Sequence, residues 1–512
     1  MHAYHKKKLL KLLSQFEDED LFHLIWTTNI IQTGNYQQAL PHLDRKTINP
    51  KAIGIQDPHE LAIHKWELET LANEGLTTPM APAQRGRLIR LKNNHYGNMV
   101  TCINRLRKLE NKEFNIGGHK KNVFGELVRI GNRQFPWQIG SANIANLYRN
   151  NFVYGQGKCA EVFFEKFGIS VAEFSKVSFG LFAHFMSHPV LVGDQAFKTI
   201  GIPEDLYRSA LGLLCLPLKH AKQVAVKERK GIIHVAYKPS IFRQYPCVSF
   251  SNNPLRVRAP LPQLIMDRMT TGLYYDVVSG GGHVREEYGR RFECYCLEFS
   301  QASLPQFVWK PEEKYRVKKL TFDTPDILCF NGDRVTMVAE CKATRMSREA
   351  MFGKDPTTER GFEDLVKAVK QLWRFFAHCR LGKHDASIDP DAVGIVITLD
   401  NWLVMAEKIK EEVFRRASNE IEAFSQGLVQ AIDKKQIKFT PVQQYERVLS
   451  TATKASFLEL LSKATDEAHA GWNLDMIHEE VPSYDSSVDR KYPFTDEIQK
   501  IVPWWNMFDE ER

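Results

Sequence analysis

The sequence predicts a mixed α/β protein of several domains, with an α/β core set between a large helical N-terminal region and a helical C-terminal extension. Three observations carry this. Helical apolar spacing dominates up to about residue 205; short strand-like runs bounded by Pro and Gly follow; and helix, strands, helix and strand then alternate as far as residue 400. A chain of 512 residues accommodates roughly two to four domains. The divisions fall at 1–205 (helical recognition or regulation), 206–265 (a small β-containing connector), 266–400 (the core) and 401–512 (the extension). With 43% hydrophobic and 25% charged residues, the chain has the balance of a globular protein, not a disordered one.

In the N-terminal region, Pro58-His59-Glu60 followed by Leu61, Trp66, Leu68 and Leu71 reads as one helix start with an apolar stripe, closed near Gly75. Val171 to Phe185 reads as a buried helix that Pro189 ends. Beyond residue 205, Gly231–Tyr237 and Pro246–Phe250 read as short strands, and Pro254, Pro260 and Pro262 as a stiff connection.

The most legible stretch begins at Pro262. Val284, Tyr288, Phe292, Tyr295 and Phe299 recur at spacings of three and four, an amphipathic helix preceded by a Gly280-Gly281-Gly282 hinge. Two strands follow, one through Pro325-Asp326-Ile327-Leu328 and one ending Ala339-Glu340-Cys341-Lys342-Ala343. Phe362, Leu365, Val366, Val369, Leu372, Trp373 and Phe376 form a second amphipathic helix, with Thr357 or Thr358 as candidate caps. Ala392–Thr398 is a buried strand, and the chain from Trp402 onward is mostly helical and charged.

Alternation along the second strand puts Val335, Met337, Ala339, Cys341 and Ala343 on an apolar face, with Thr336, Glu340 and Lys342 opposite. Two opposite charges at the end of a buried strand need a reason, either an ion pair or a reactive site. Which acid faces Glu340 depends on the turn. A strict Asn331-Gly332 turn brings Asp323 opposite Glu340, whereas an odd-length turn around Gly332 brings Asp326 to that face and is the expected geometry.

Pro325-Asp326 followed by Glu340-x-Lys342 at the end of the next strand resembles the signature of the PD-(D/E)xK nuclease superfamily, over residues 265–400. Gly289–Glu293 resembles the preceding core helix of that family, and Gln371 a glutamine of its RecB-like branches, although Phe375 stands where those branches carry Tyr. The resemblance implies a restriction-endonuclease-like core and Mg²⁺-dependent phosphodiester hydrolysis, with Mn²⁺ as a substitute cation. Asp326, Glu340 and Glu293 would hold the metal, which polarises the phosphoryl oxygen and activates a water; Lys342 would orient that water and steady negative charge. Gln371 would position the nucleic acid or the lysine, and Glu287 is the alternative to Glu293. DNA is the favoured substrate, with tRNA or another structured RNA as one alternative and a non-catalytic nucleic-acid-binding or sensor protein as another. By analogy alone, the build resembles prokaryotic antiviral or mobile-element defence proteins, for which a protein trigger or phage component is expected.

The remaining features are weaker. The net charge of +8 suits a polyanionic partner, as it does a solvated basic surface. Basic residues gather at Arg85, Arg87, Arg90 and Lys92, at Arg105, Arg107 and Lys108, and at Lys314, Arg316, Lys318 and Lys319 beside the site. His184 and His188 share a helix face without the Glu of a zinc-protease motif, and Gly155–Cys159 lacks the first Gly and the Ser or Thr of a phosphate loop. Nine cysteines without regular spacing point to reduced thiols in a cytoplasm and to no iron–sulfur cluster. No stretch has the order of a signal peptide or the length of a membrane span, so no membrane partner is expected.

Overall fold

The computed structural model describes residues 2–503, without 34–35, 50–52, 54–61, 83–89, 117–122, 140–142, 233, 253–254, 346–356, 358–359, 400–406, 426 and 470. Pro58–Leu61, Arg85, Arg87, Pro254, Thr358 and Trp402 lie outside the described residues. The chain is mixed α/β, with three sheets among the described residues. No helix among the described residues is long and apolar enough to cross a membrane.

Strands β1 (Leu191–Val192), β2 (Cys215–Pro217), β3 (Cys247–Asn252) and β4 (Leu255–Arg258) form a small sheet in the order β1-β4-β3-β2. The run expected as a strand over 231–237 is instead a 3₁₀ turn at Val235–Tyr237. Ile233 lies outside the described residues; Val235 is buried beside the N-terminal helices, and its N–H donates to Glu113 Oε2 at 2.7 Å. That hydrogen bond takes the place of a ladder partner. The helix expected from Pro58 is described as Lys65–Thr77, where Glu67 reaches back to the His64 N–H in a capping box. The helix Val171–Ser187 matches its sequence pattern, with Ser170 and Glu173 forming the cap.

The site rests on a five-stranded sheet in the order β11-β10-β9-β8-β5, built from β5 (Val308–Pro311), β8 (Ile327–Asn331), β9 (Arg334–Lys342), β10 (Ser387–Thr398) and β11 (Ile437–Pro441). Between β5 and β8 the chain makes a separate hairpin of β6 (Lys314–Val317) and β7 (Leu320–Asp323). β5, β8 and β9 run antiparallel, whereas β9, β10 and β11 are parallel. Parallel neighbours need crossovers, supplied here by the helices Arg360–Arg380 and Glu407–Ser425.

Both faces of this sheet are covered. Leu328, Val338 and Val396 pack against Leu365, Val369 and Leu372 of the first crossover helix and Val413 of the second. On the opposite face Ile327, Ala339, Cys341 and Ile395 pack against the helix Gly282–Ser303 and the helices Val442–Thr451 and Lys454–Ala464. That second apolar cluster runs from Leu147 to Val502, so segments far apart in sequence share it. A third cluster joins the first hundred or so residues to residues between Leu216 and Leu264.

One buried polar network ties the long helix Gly282–Ser303 to its surroundings. Glu446 accepts from the fully buried Arg149 guanidinium and from the Tyr295 hydroxyl at 2.5 Å, and Tyr295 also contacts the Tyr492 hydroxyl at 3.0 Å. Arg149 comes from the helix Ile144–Tyr154, Tyr295 from the long helix and Glu446 from the helix Val442–Thr451.

The β8–β9 hairpin departs from the expected odd-length turn. Asn331 pairs with Arg334 across a two-residue turn of Gly332 and Asp333, with Gly332 at φ +62°. The extra residue sits within β9: Cys329 pairs with Met337 and Phe330 with Val335, leaving Thr336 as a bulge. The bulge also corrects the expected apolar face, because Val335 packs with the Arg360–Arg380 side while Met337, Ala339 and Cys341 pack on the other. A Cβ at Gly332 would meet no neighbour, so the cost of substitution there is conformational. Gly332→Ala is expected to destabilise the protein by about 1–2 kcal/mol, read as a lower urea midpoint at unchanged slope.

Candidate active site

Past the bulge, β8 and β9 continue with Leu328 opposite Val338 and Ile327 opposite Ala339. The next step of this register puts Asp326, just before β8, level with Glu340, and Asp326 Oδ2 accepts the Cys341 N–H at 2.6 Å. On the other side of β9, Val396 pairs with Glu340 and Thr398 with Lys342. The charges therefore stand at the end of β9, flanked by neighbours on both sides.

Glu340 is fully buried, and its Oε2 accepts from Lys342 Nζ at 2.6 Å. Its Oε1 has no hydrogen-bond partner among the described residues. A cleft of about 960 Å³ opens at this strand end, and Asp326, Lys342, Glu293 and Gln371 all line it. Glu340 lies behind that wall. The sequence-predicted residues thus gather at one place: Asp326, Glu340 and Lys342 on the hairpin, Glu293 on the long helix and Gln371 on the first crossover helix. Gln371 Oε1 is likewise buried without a partner.

The alternatives sort by placement. Asp323 also lines the cleft, with a buried, unpartnered Oδ1, so the acid that the other register would have chosen stands beside Asp326. Glu287 is committed elsewhere: it accepts the Lys158 N–H at 2.8 Å and pairs with Arg291. A carboxylate thus occupies the helix N-terminus at Gly157–Lys158 that the Gly155–Cys159 stretch offers. The Gly280–Gly282 stretch ends a 3₁₀ turn, with Gly281 at φ +90° just before the long helix. His184 and His188 stack at 4.8 Å, and His184 Nε2 contacts the Val190 carbonyl at 3.1 Å.

Sequence reasoning missed Glu312 and Asp364. Glu312 follows β5 and lines the cleft, where Asp326 and Asp323 act on its carboxyl; Asp364 accepts from the Thr344 hydroxyl across the same cleft.

Crowding of acids dominates the electrostatics. Burial and then Asp326 push the Glu340 carboxyl up to about 8, against the pull of Lys342. Burial and Asp326 likewise push Glu293 up to about 7, and burial raises Asp326 despite Lys342 and the Cys341 N–H. Glu312 is raised by burial together with Asp326 and Asp323. Burial opposes the Lys342 charge, but Glu340 and Asp326 outweigh it and hold the ammonium above the usual lysine range. Lys342 is the leading cation for these carboxyls, with Arg290 also acting on Glu293 and Lys367 on Asp326, yet burial and mutual repulsion still make ionising them all costly.

The donor chemistry suits a hard divalent cation: carboxylate oxygens predominate, and two of them, on Glu340 and Asp323, are buried and unpartnered. Even so, no three His, Cys, Asp or Glu side chains among the described residues stand close enough to form a ready ligand group. All nine cysteines are free thiols. The chain matches no protein-family model, no curated protein and no solved structure.

A raised carboxyl pKa in the folded state means that the folded protein holds protons the unfolded chain has released. Stability is then lost as pH rises through the folded pKa. Glu293→Gln removes one such group, so its thermal unfolding should match wild type near pH 5 and exceed it by a few degrees near pH 8, in EDTA. Equal unfolding temperatures at both pH values would remove Glu293 from the repelling cluster.

Proposed function

We propose that this protein is a metal-dependent nuclease with a restriction-endonuclease-like core of the PD-(D/E)xK type. DNA is its favoured substrate, Mg²⁺ or Mn²⁺ its cation and the cytoplasm its setting. The observation that carries the reading is the Glu340–Lys342 pair at the end of β9, level with Asp326, with Lys342, Asp326 and Glu293 lining one cleft and Glu340 buried behind it. An ion pair serving the fold alone would not need three further carboxyls crowded against it, each held above its ordinary pKa.

Asp326, Glu340 and Glu293 would hold the cation, which relieves their mutual repulsion. When bound, it polarises phosphoryl oxygens and lowers the pKa of water. The chain's own groups do the rest. The Cys341 N–H fixes the Asp326 carboxylate, and the Lys342 ammonium lines the cleft where negative charge grows on the phosphate. Gln371, with its unpartnered amide oxygen in the same wall, is placed to accept a hydrogen bond from substrate or water. The surrounding helical regions then regulate access or recognise a partner.

One observation favours a second reading, a nucleic-acid-binding protein that does not cut: Glu340 lies behind the cleft wall, and no ready ligand group is assembled among the described residues. A single experiment separates the two. Purified protein is incubated with plasmid, linear duplex, single strands and tRNA in Mg²⁺, Mn²⁺ or EDTA. The nuclease reading expects cleavage that EDTA abolishes, that Lys342→Ala lowers on the order of 10²–10³-fold, and that Glu340→Gln lowers at least as far. Cleavage that survives both substitutions sinks the site assignment, and absence of cleavage in every condition favours the binding reading. The RNase alternative predicts cutting of tRNA alone.

A further inference from the structure

The hairpin β6–β7 stands apart from the main sheet as a two-stranded unit of its own. Such hairpins are marginal without support. Here the support comes from one face. Tyr315 and Phe322, directly opposite each other, pack on the crossover helix Arg360–Arg380, with the Tyr315 hydroxyl 2.7 Å from His378 Nδ1 and the Arg374 guanidinium over the Phe322 ring. At its base the hairpin is clamped to the segment that leads into Asp326: the Glu313 N–H donates to Thr324 Oγ1 and the Thr324 N–H to the Glu313 carbonyl, both at 2.9 Å. The base of the hairpin is therefore held beside the candidate acid.

Its other face and tip are cationic. Lys314, Arg316, Lys318 and Lys319 are all exposed, and none forms a salt bridge among the described residues. Arg90 and Arg107 of the N-terminal region differ. Arg90 donates to the backbone carbonyls of Ser14 and Ala81, and Arg107 is a two-pronged partner of Glu67. Those two arginines hold the fold; the hairpin's charges point to solvent instead.

Lys314 and Arg316 project from the same side of β6, roughly 6.7 Å apart by strand geometry, on the scale of the phosphate repeat of an extended nucleic-acid strand. Lys314 pairs in register with Asp323, which lines the cleft, so the cationic row begins at the cleft's rim. The cleft lining mixes carboxyls with cations such as Arg285, Arg290, Lys342 and Lys367, and the carboxyls gathered around Asp326 disfavour a phosphate placed directly beside them. A polyanion needs fixed positive charge nearby to stay in place.

We propose that the β6–β7 hairpin is a docking arm for the sugar–phosphate backbone of a nucleic acid, held through Lys314, Arg316, Lys318 and Lys319 without reading base sequence. The proposal rests on the nuclease reading for the identity of the polyanion, and its test is independent of cleavage. Affinity for a fluorescein-labelled duplex and for a labelled single strand is measured in EDTA across a range of salt concentrations. This uses full-length wild type, a variant with all four residues changed to Gln, and a variant with the three lysines changed to Arg. The Gln variant should bind at least tenfold more weakly at low salt. Its dependence of log affinity on log salt should be shallower by about 0.9 for each duplex phosphate that the arm no longer neutralises. The Arg variant, which keeps the charge, should bind like wild type.

A Gln variant that matches wild type in affinity and salt slope overturns the proposal. So does a variant that loses binding to phosphatidylserine vesicles while keeping its affinity for nucleic acid, since the arm would then serve a membrane surface. Thermal unfolding of the Gln variant at the wild-type temperature shows that weaker binding comes from the missing charges and not from a damaged fold. Wild-type protein that binds nucleic acid but never cuts it fails the nuclease reading alone, and the affinity comparison still decides the arm. Wild-type protein that binds neither strand nor duplex overturns the arm directly.

Discussion

Thr336 is the residue on which the geometry of the site turns. A two-residue turn at Gly332-Asp333, carried through an uninterrupted ladder, would put Asp326 level with Ala339 and aim it at the opposite face from Glu340. The single unpaired residue at Thr336 shifts the register by one, so that Ile327 meets Ala339 and Asp326 comes level with Glu340. Because strand side chains alternate, one residue moves the whole of β8 past the bulge relative to its partner. The apolar residues record the same shift: Val335 serves one core and Met337 the other. Packing on both faces then holds the register, since a slip would drive Leu328 and Ile327 into the wrong layers.

That enforced proximity carries an energetic burden. Glu340 has no exposure to water, Asp326 is nearly as deep, and one lysine is shared between them. Burying a charged pair costs more in desolvation than its attraction reliably returns, and adding Glu293 and Glu312 makes matters worse. The surrounding architecture keeps these groups together regardless, through a sheet covered on both faces and a helix fixed at several points. A cluster that opposes its own fold and sits in a cleft is the pattern expected where chemistry rather than stability has set the residues.

Legibility from sequence followed the reach of the physical signal. The helices through Val284–Phe299 and Phe362–Phe376 and the strand through Ala392–Thr398 were readable because apolar periodicity is local. The gathering of Asp326, Glu340, Lys342, Glu293 and Gln371 was anticipated through motif order. The bulge was not: Thr336 is an ordinary strand residue, and only pairing across the sheet reveals that it has no partner. The Gly231–Tyr237 run misled for a related reason, since Val235 is packed by the N-terminal helices and Glu113 satisfies a backbone donor that a strand would have paired. Glu312 was missed because it lies between strands, where no periodicity marks a direction. The amphipathic stripes of the N-terminal helices announced burial without saying against what; Leu216, Val248 and Leu264 prove to be among their neighbours.

The network around Glu446 bears on more than packing. Glu293 and Tyr295 are two residues apart on one helix and so project to nearly opposite sides, one toward the cleft and the other toward Arg149 and Glu446. One helix thus spans two environments, an open cleft on one flank and a fully packed polar network on the other. The braces on Tyr295 fix the rotation of that helix, and with it the direction in which Glu293 is presented. The placement of one carboxylate in the cleft is therefore underwritten by Arg149 and Glu446, residues on two other helices.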